Sequence, residues 1–285
     1  MQAPTLQAVE DLPHLEIVHL NDIALHEHHD QGRSDRILAR LKDEEMLKNP
    51  PVVASVPGSR SHIALDGANR ITALGQIGCR DALVQIVDYA SAQVSLDTWD
   101  HLITGLPGEL ILEQVRRGGD DVQVAEMSVE NIDDLLESRE IVCAITNLQD
   151  GRHWAVLQGA HLFMQVAHLN RIVDLYRTRG EIYRVDAEHV RDLTHDDRHP
   201  TVLFAFPRFT KDEIVALALA DVKLPAGITR HLISGRALRI NLGLEILRSD
   251  APLEDKNATL RHIIRQKVLD KKVRFYGEPT FLFDE

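Results

Sequence analysis

The chemistry-bearing residues Asp66, Gly67, Asn69 and Arg70 fall within the turn Asp66-Gly67-Ala68-Asn69-Arg70, where a strand-like run over 62–65 gives way to a helical one. A glycine between strand and helix lets the backbone turn tightly. The N–H groups of the first helical turn then point at whatever lies above them, which favours phosphate. Arg70 can add a bidentate, charge-assisted contact. Asp66, at the strand end, can cap the helix or hold Mg²⁺ against phosphate oxygens. A plain helix cap with a surface ion pair fits the same spacing equally well, so residue chemistry alone leaves both readings open.

Three other places concentrate reactive groups. His26-Glu27-His28-His29-Asp30 is a polar loop after a strand, able to present a carboxylate base or imidazoles for a metal. Adjacent side chains rarely point the same way, and no two of these histidines have the i, i+4 spacing of a helical metal pair. His28 and His29 therefore read as solvated loop histidines, and the role of Glu27 stays open. Thr229-Arg230-His231, following Leu224-Pro225, gathers a hydroxyl, a guanidinium and an imidazole, which suits an anionic ligand or an ordinary capped loop. Trp99, between Thr98 and Asp100, is a pocket wall or a core aromatic.

The elements that must position these residues follow from periodicity and breakers. Residues 15–25 alternate like a strand and lead into the polar loop 26–33. Residues 34–46, with Ile37, Leu38 and Leu41, suit an amphipathic helix that Pro50-Pro51 stops. Residues 51–56 and 62–65 read as strands around Pro57-Gly58-Ser59-Arg60-Ser61, followed by a helix over 69–77 capped by Gly78 and a strand over 82–87. A second segment begins near 94–99. Helices are predicted over 110–116, 129–137, 162–178 and 188–193. Strands are predicted over 141–146, 153–157, 202–206 and 238–242, and a loop over 223–233. Thr210 with Glu213 three residues later marks a capping box opening a helix over 210–220. Lys256–Arg274 is basic at helical spacing, which predicts a solvated charged face.

Composition bounds the class. The chain has 285 residues, 44% hydrophobic and 27% charged, enough for a sizeable core in a mixed α/β protein. Its formal net charge of −12 argues against general nucleic-acid binding, which needs a basic face. Apolar runs fall short of a bilayer span, residues 1–13 do not resemble a secretion signal, and Cys79 and Cys143 have no ligand spacing. A reducing cytoplasm is the expected home, without membrane association.

In order along the chain, these pieces resemble the free L-serine kinases, a branch of the ParB/sulfiredoxin-like superfamily with archaeal and siderophore-type members. His26-Glu27 is similar to the family's His-Glu after the first strand. Leu65-Asp66-Gly67-Ala68-Asn69-Arg70 is similar to its Asp-Gly-His-His-Arg turn. Val87-Asp88-Tyr89 with Thr98-Trp99, and Pro225-Ala226-Gly227-Ile228-Thr229-Arg230-His231 through Ile240-Asn241-Leu242, resemble the pieces that follow. ParB proper lacks the last two, and the sulfiredoxin turn carries a cysteine that is absent from this one.

The resemblance implies an α/β (α+β) enzyme. Residues 1–90 would form a ParB/sulfiredoxin-like nucleotide-binding domain, and residues 91–285 a second α/β region completing the substrate pocket, with the C-terminal helix and tail. It implies phosphoryl transfer from ATP (or ADP), with Mg²⁺, to the hydroxyl of free L-serine. Glu27 would be the base, and Asp66 would assist the nucleophile or hold the metal. Gly67, Ala68, Asn69 and Arg70 would cradle phosphates, while Trp99, Thr229, Arg230 and His231 would fix the amino acid or compensate charge. Some members use ADP and bacterial ones ATP, and ATP is favoured here. Ala68-Asn69 replaces two histidines of the archaeal pattern: Asn69 can donate to a phosphate oxygen but cannot carry charge. The rival expectations are a ParB-like nucleotide-binding regulator without kinase activity and a kinase for another small hydroxylated substrate. A homodimer is a further expectation, with the tail Phe281-Leu282-Phe283 packing within the chain or across it.

Overall fold

The computed structural model describes residues 12–117, 123–157, 161–186 and 199–276. The helix expected over 188–193 and the tail Phe281-Leu282-Phe283 lie outside them. The first part runs β1 (Leu15–His19), β2 (Ile23–Leu25), α1 (Gln31–Glu44), β3 (Met46–Leu47), β4 (Val52–Ser55), β5 (His62–Asp66), α2 (Ala68–Gln76) and β6 (Asp81–Val87). The second runs β7 (Val94–Thr98), β8 (Asp100–Thr104), α3 (Gly108–Arg117), β9 (Gln123–Met127), α4 (Val129–Glu137), β10 (Ile141–Asn147), β11 (His153–Leu157), α5 (Leu162–Tyr176), β12 (Glu181–Val185) and β13 (Val202–Ala205). Then come α6 (Lys211–Leu219), β14 (Thr229–Ile233), β15 (Leu242–Gly243), α7 (Leu244–Arg248) and α8 (Leu253–Leu269). The fold is mixed α/β, as expected. No helix of the described residues is long and apolar enough to cross a membrane.

The first sheet has the order β1-β6-β4-β5-β2. It is buried on both faces, which is why its strands read as short apolar runs. Val53 and Ala64 face one core with Leu74, Leu83 and Leu260, whereas Ala54, Ile63 and Leu65 face the core shared with the second sheet. Within it β2 and β5 run parallel, with Leu25 opposite Ala64. The segments leaving these strands, His26-Glu27 and Asp66–Arg70, therefore emerge at the same end. The second sheet, β12-β8-β13-β10-β11-β9, is antiparallel throughout. Its core side carries α3, α5 and α6 residues, and Ile132 of α4 packs on the other face with Ile141, Ala144 and Ala155.

Several local expectations are corrected. Residues 229–233 form a strand rather than loop, because Thr229–Ile233 pairs with Val94–Thr98 far back in the sequence. The strand expected over 238–242 shrinks to Leu242–Gly243, paired with Met46–Leu47. Helix α1 begins earlier than its apolar pattern, at Gln31, because Asp30 caps it through a 2.8 Å bond from the Arg33 amide. The basic C-terminal helix is not solvated throughout. Lys256 is buried against Asp81, and Leu260 joins the first core. Asn257 exchanges two hydrogen bonds with the backbone of Ile17 on β1, so α8 completes the first layer rather than the second. The capping box of Thr210 and Glu213 is present as read.

Candidate active site

A cavity of about 590 Å³ opens at the ends of β2 and β5, a size usual for small-molecule sites. Glu27 and the whole Asp66–Arg70 turn line it. Gly67 has φ +104, and a Cβ there would meet Pro51 at 2.9 Å, so the turn requires glycine. Gly67 is also the N-cap of α2, and no side chain caps the helix. The first-turn N–H groups of α2 are thus available to an anion, and the reading of Asp66 as an ordinary cap does not hold.

Asp66 is instead an ion-pair hub. Arg70 reaches its Oδ2 at 2.6 Å, and Arg236 binds the same oxygen. Burial alone would raise this carboxyl, but the two guanidiniums outweigh it and hold it below its ordinary value. Oδ1 has no hydrogen-bond partner among the described residues. It can therefore serve a divalent cation that is otherwise coordinated by nucleotide phosphates and water, the usual arrangement for Mg²⁺. Among the described residues no group of three acidic, histidine or cysteine side chains gathers to hold a metal without such help. Arg70 also donates to the carbonyls of Asn49 and Pro50, tying the turn to the chain before β4. Asn69 accepts from the Asp30 amide at 2.8 Å and from Ser34 Oγ at 3.0 Å. Its carbonyl thereby locks α1 onto α2, and its amide nitrogen remains the group able to donate to a ligand.

Glu27 is fixed from across the molecule. The backbone of His26 and His28 bonds to Leu224 on both sides, and the Gly227 amide donates to Glu27 Oε2 at 2.9 Å. Gly227 is itself held: His101 Nε2 donates to its carbonyl at 3.2 Å, and the Tyr176 hydroxyl donates to His101 Nδ1 at 2.9 Å. Burial pushes the His101 imidazole down to about 4, so it stays neutral in this relay.

Behind Glu27, His26 is buried with Nδ1–H donating to the Ala64 carbonyl, which leaves Nε2 to accept from Thr229 Oγ1 at 2.8 Å. His231 lies edge-on to His26 and shares a 2.8 Å hydrogen bond with the Tyr89 hydroxyl. Burial, aided by the neighbouring His26, depresses the His231 imidazole to about 3. Arg230 stacks on Trp99 at 4.1 Å and pairs with Asp186 at 2.8 Å. The structure thus brings Glu27 and the Asp66–Arg70 turn onto one cavity wall. Thr229 and His231 meet His26, the neighbour of Glu27, but Trp99, Thr229, Arg230 and His231 are not among the residues that line the cavity. His28 is exposed but lines the cavity, and His29 is half-buried, so the expectation of two solvated loop histidines holds only in part.

Sequence reasoning missed most of the cations. Arg33, Arg36 and Arg40 line the cavity from one face of α1, together with Lys48 and Arg184. The α1 arginines have i, i+3, i+7 spacing, a signal readable in the sequence. Arg184 carries no such signal: it reaches the site because β12 pairs with β8, setting it opposite His101. With Arg70, these groups outnumber the lining carboxylates Glu27, Glu44 and Asp66, giving a cationic cavity in an acidic protein.

Comparison with known proteins bears out the resemblance read from the sequence. No protein-family profile matches the chain. The ATP-dependent L-serine kinase SbnI of Staphylococcus aureus is 24% identical over 279 residues, covering 95% of this chain and 98% of its own. The ATP-dependent L-serine kinase of Desulfurococcus mucosus is 27% identical over 240 residues, covering 81% and 90%. A solved structure of a free serine kinase in complex with AMP superposes with a TM-score of 0.72 at 20% identity, over 83% of this chain and 94% of that one.

Proposed function

We propose that this chain, a relative of the L-serine kinases over almost its whole length, transfers a phosphoryl group from ATP (or ADP) to the hydroxyl of free L-serine, giving O-phospho-L-serine. The observation that carries the reading is the shared cavity: a positioned carboxylate, Glu27, faces an uncapped helix N-terminus amid cations. Phosphoryl transfer depends chiefly on positioning and charge neutralisation, and this site supplies both.

In this reading Glu27 accepts the proton of the serine hydroxyl as its oxygen bonds to the terminal phosphorus. The bond from that phosphorus to the bridging oxygen breaks, and the nucleotide leaves with one phosphate fewer. The Gly227 amide orients Glu27 by holding Oε2, leaving Oε1 for the hydroxyl. The N–H groups of Ala68, Asn69 and Arg70 and the α1 arginines receive the nucleotide phosphates. Asp66 Oδ1 would hold Mg²⁺, which when bound neutralises phosphate charge. Trp99, Thr229, Arg230 and His231 border the serine side, with Thr229 and His231 acting through His26. Residues 1–90 then form the ParB/sulfiredoxin-like, nucleotide-binding half, supported by α8, and the rest completes the acceptor pocket.

The test is product analysis by mass spectrometry with ATP or ADP, Mg²⁺ and a panel of hydroxylated amino acids and small alcohols. Phosphoserine formed in preference to phosphothreonine or phosphorylated alcohols supports the reading. Preference for another acceptor, or nucleotide binding without transfer to any, contradicts it.

A further inference from the structure

A kinase for a free amino acid must recognise the α-carboxylate as well as the hydroxyl, and a guanidinium offers the matching planar fork. Two arginines of the second region are candidates, Arg230 in β14 and Arg184 in β12, and of these only Arg184 lines the cavity. Arg230, the one singled out by the sequence, is already engaged: Asp186 takes its Nη1 at 2.8 Å, and its Cζ lies over the Trp99 ring at 4.1 Å. Arg184 is different. It lines the cavity with Glu27, and among the described residues its guanidinium has no hydrogen-bond or ion-pair partner, its backbone being paired with β8.

Its position is built rather than incidental. Gly227 has φ +80, and a Cβ at this residue would fall inside the Arg184 guanidinium. The guanidinium therefore packs onto the Gly227 backbone, whose amide holds Glu27. The other lining cations, Arg33, Arg36, Arg40, Lys48 and Arg70, belong to α1, the chain before β4, and α2, where the nucleotide phosphates are placed. Arg184 alone among the lining cations comes from β12, in the second region. Burial, reinforced by the charge of Arg33, works against its protonated form, and Glu27, Asp30 and Asp66 support it. A partly buried guanidinium with no partner among the described residues is improved by a bound anion.

We infer that Arg184 is the substrate-binding residue that pairs with the α-carboxylate of the acceptor amino acid, setting its hydroxyl against Glu27. The inference rests on the L-serine kinase reading and adds the group that selects an amino acid over a simple alcohol.

The experiment compares L-serine with L-serinamide, which keeps the hydroxyl and amine but lacks the carboxylate, in wild type, Arg184→Gln and Arg184→Lys. Wild type is expected to favour L-serine in kcat/KM by on the order of a hundredfold. In Arg184→Gln the KM for L-serine rises by about tenfold or more, the KM for ATP stays within about twofold, and the preference over serinamide collapses. Arg184→Lys, which keeps the charge but not the fork, recovers part of the preference and serves if the glutamine variant does not fold. A preference unchanged from wild type in either variant overturns the inference while leaving the kinase reading intact. So does a rise in the KM for ATP in place of that for serine. A wild-type protein that phosphorylates neither compound overturns the kinase reading and this inference with it.

Discussion

The Gly227 amide donates to Glu27 Oε2 at 2.9 Å, joining residues 200 positions apart. This bond links the first sheet, which carries Glu27 just past β2, to the loop that leads into β14. Gly227 has three simultaneous duties: its N–H orients Glu27, its carbonyl accepts from His101, and its missing Cβ makes room for Arg184. Replacing Gly227 with alanine adds a methyl where a guanidinium lies and strains a left-handed backbone, costing about 1–3 kcal/mol of stability. Phosphoserine formation by Gly227→Ala is expected to fall by about a hundredfold in kcat/KM, with nucleotide affinity changed far less. Steady-state kinetics alongside nucleotide titration checks this.

The α1 arginines are expected to act on the nucleotide and not on serine. Arg33 and Arg36 are exposed at the cavity rim, one turn apart. Reversing the charge with Arg36→Glu should weaken ATP binding by about tenfold, roughly 1.4 kcal/mol, and flatten its salt dependence. Calorimetric titration at two ionic strengths reads both effects. An unchanged affinity would remove α1 from the phosphate site.

Three imidazoles, His26 and His101 buried and His231 partly so, make the fold sensitive to acid. His101 is depressed to about 4 and His231 to about 3, and burial also lowers His26. Each stays neutral when folded but takes up a proton near 6.5 when unfolded. Their contribution is therefore complete above pH 6.5 and is lost as the pH falls from there toward 4 and 3. For His101 alone the loss by pH 5 is on the order of 2 kcal/mol. Urea unfolding at pH 7.5 and pH 5 should show it, and His101→Gln should have the shallower pH dependence.

Legibility in the sequence tracks how local the determining contacts are. The Asp66–Arg70 turn, the capping box at Thr210 and helices such as α4 depend on neighbours within a few residues, and they were readable. Strands β8, β9 and β12 were not. The polar Asp100, His101 and Thr104 are buried within β8, which hides the apolar alternation that would have announced it. Strand β14 exists only because it meets β7, and no local signal reports that pairing. The same holds at the candidate site: Glu27 and the turn, which share the cavity, have local sequence signals, whereas Arg184 is an isolated arginine until β12 pairs with β8.

Lys256 shows how a charge run can mislead. Its ammonium is buried against Asp81, which also accepts from His19 at 2.7 Å, and it donates to the Ser249 carbonyl at 2.6 Å. Lys256→Met should strand the Asp81 carboxylate and cost about 3 kcal/mol or more in denaturant unfolding. Replacing both partners, as Asp81→Leu with Lys256→Met, should recover much of that loss. A single variant as stable as wild type would mean that the apolar contacts of α8 and Asn257 suffice to hold it.

The measurement that bears most directly on the central claim follows phosphoserine by mass spectrometry in wild type and Glu27→Gln, with ATP binding measured on the same preparations. Wild type is expected to convert free L-serine. Glu27→Gln keeps the Gly227 hydrogen bond but cannot take the hydroxyl proton, so it should bind ATP within about twofold of wild type and lose at least about a hundredfold in turnover. A Glu27→Gln variant that makes phosphoserine near the wild-type rate would contradict the assignment of Glu27. A wild-type protein that makes none would contradict the account as a whole.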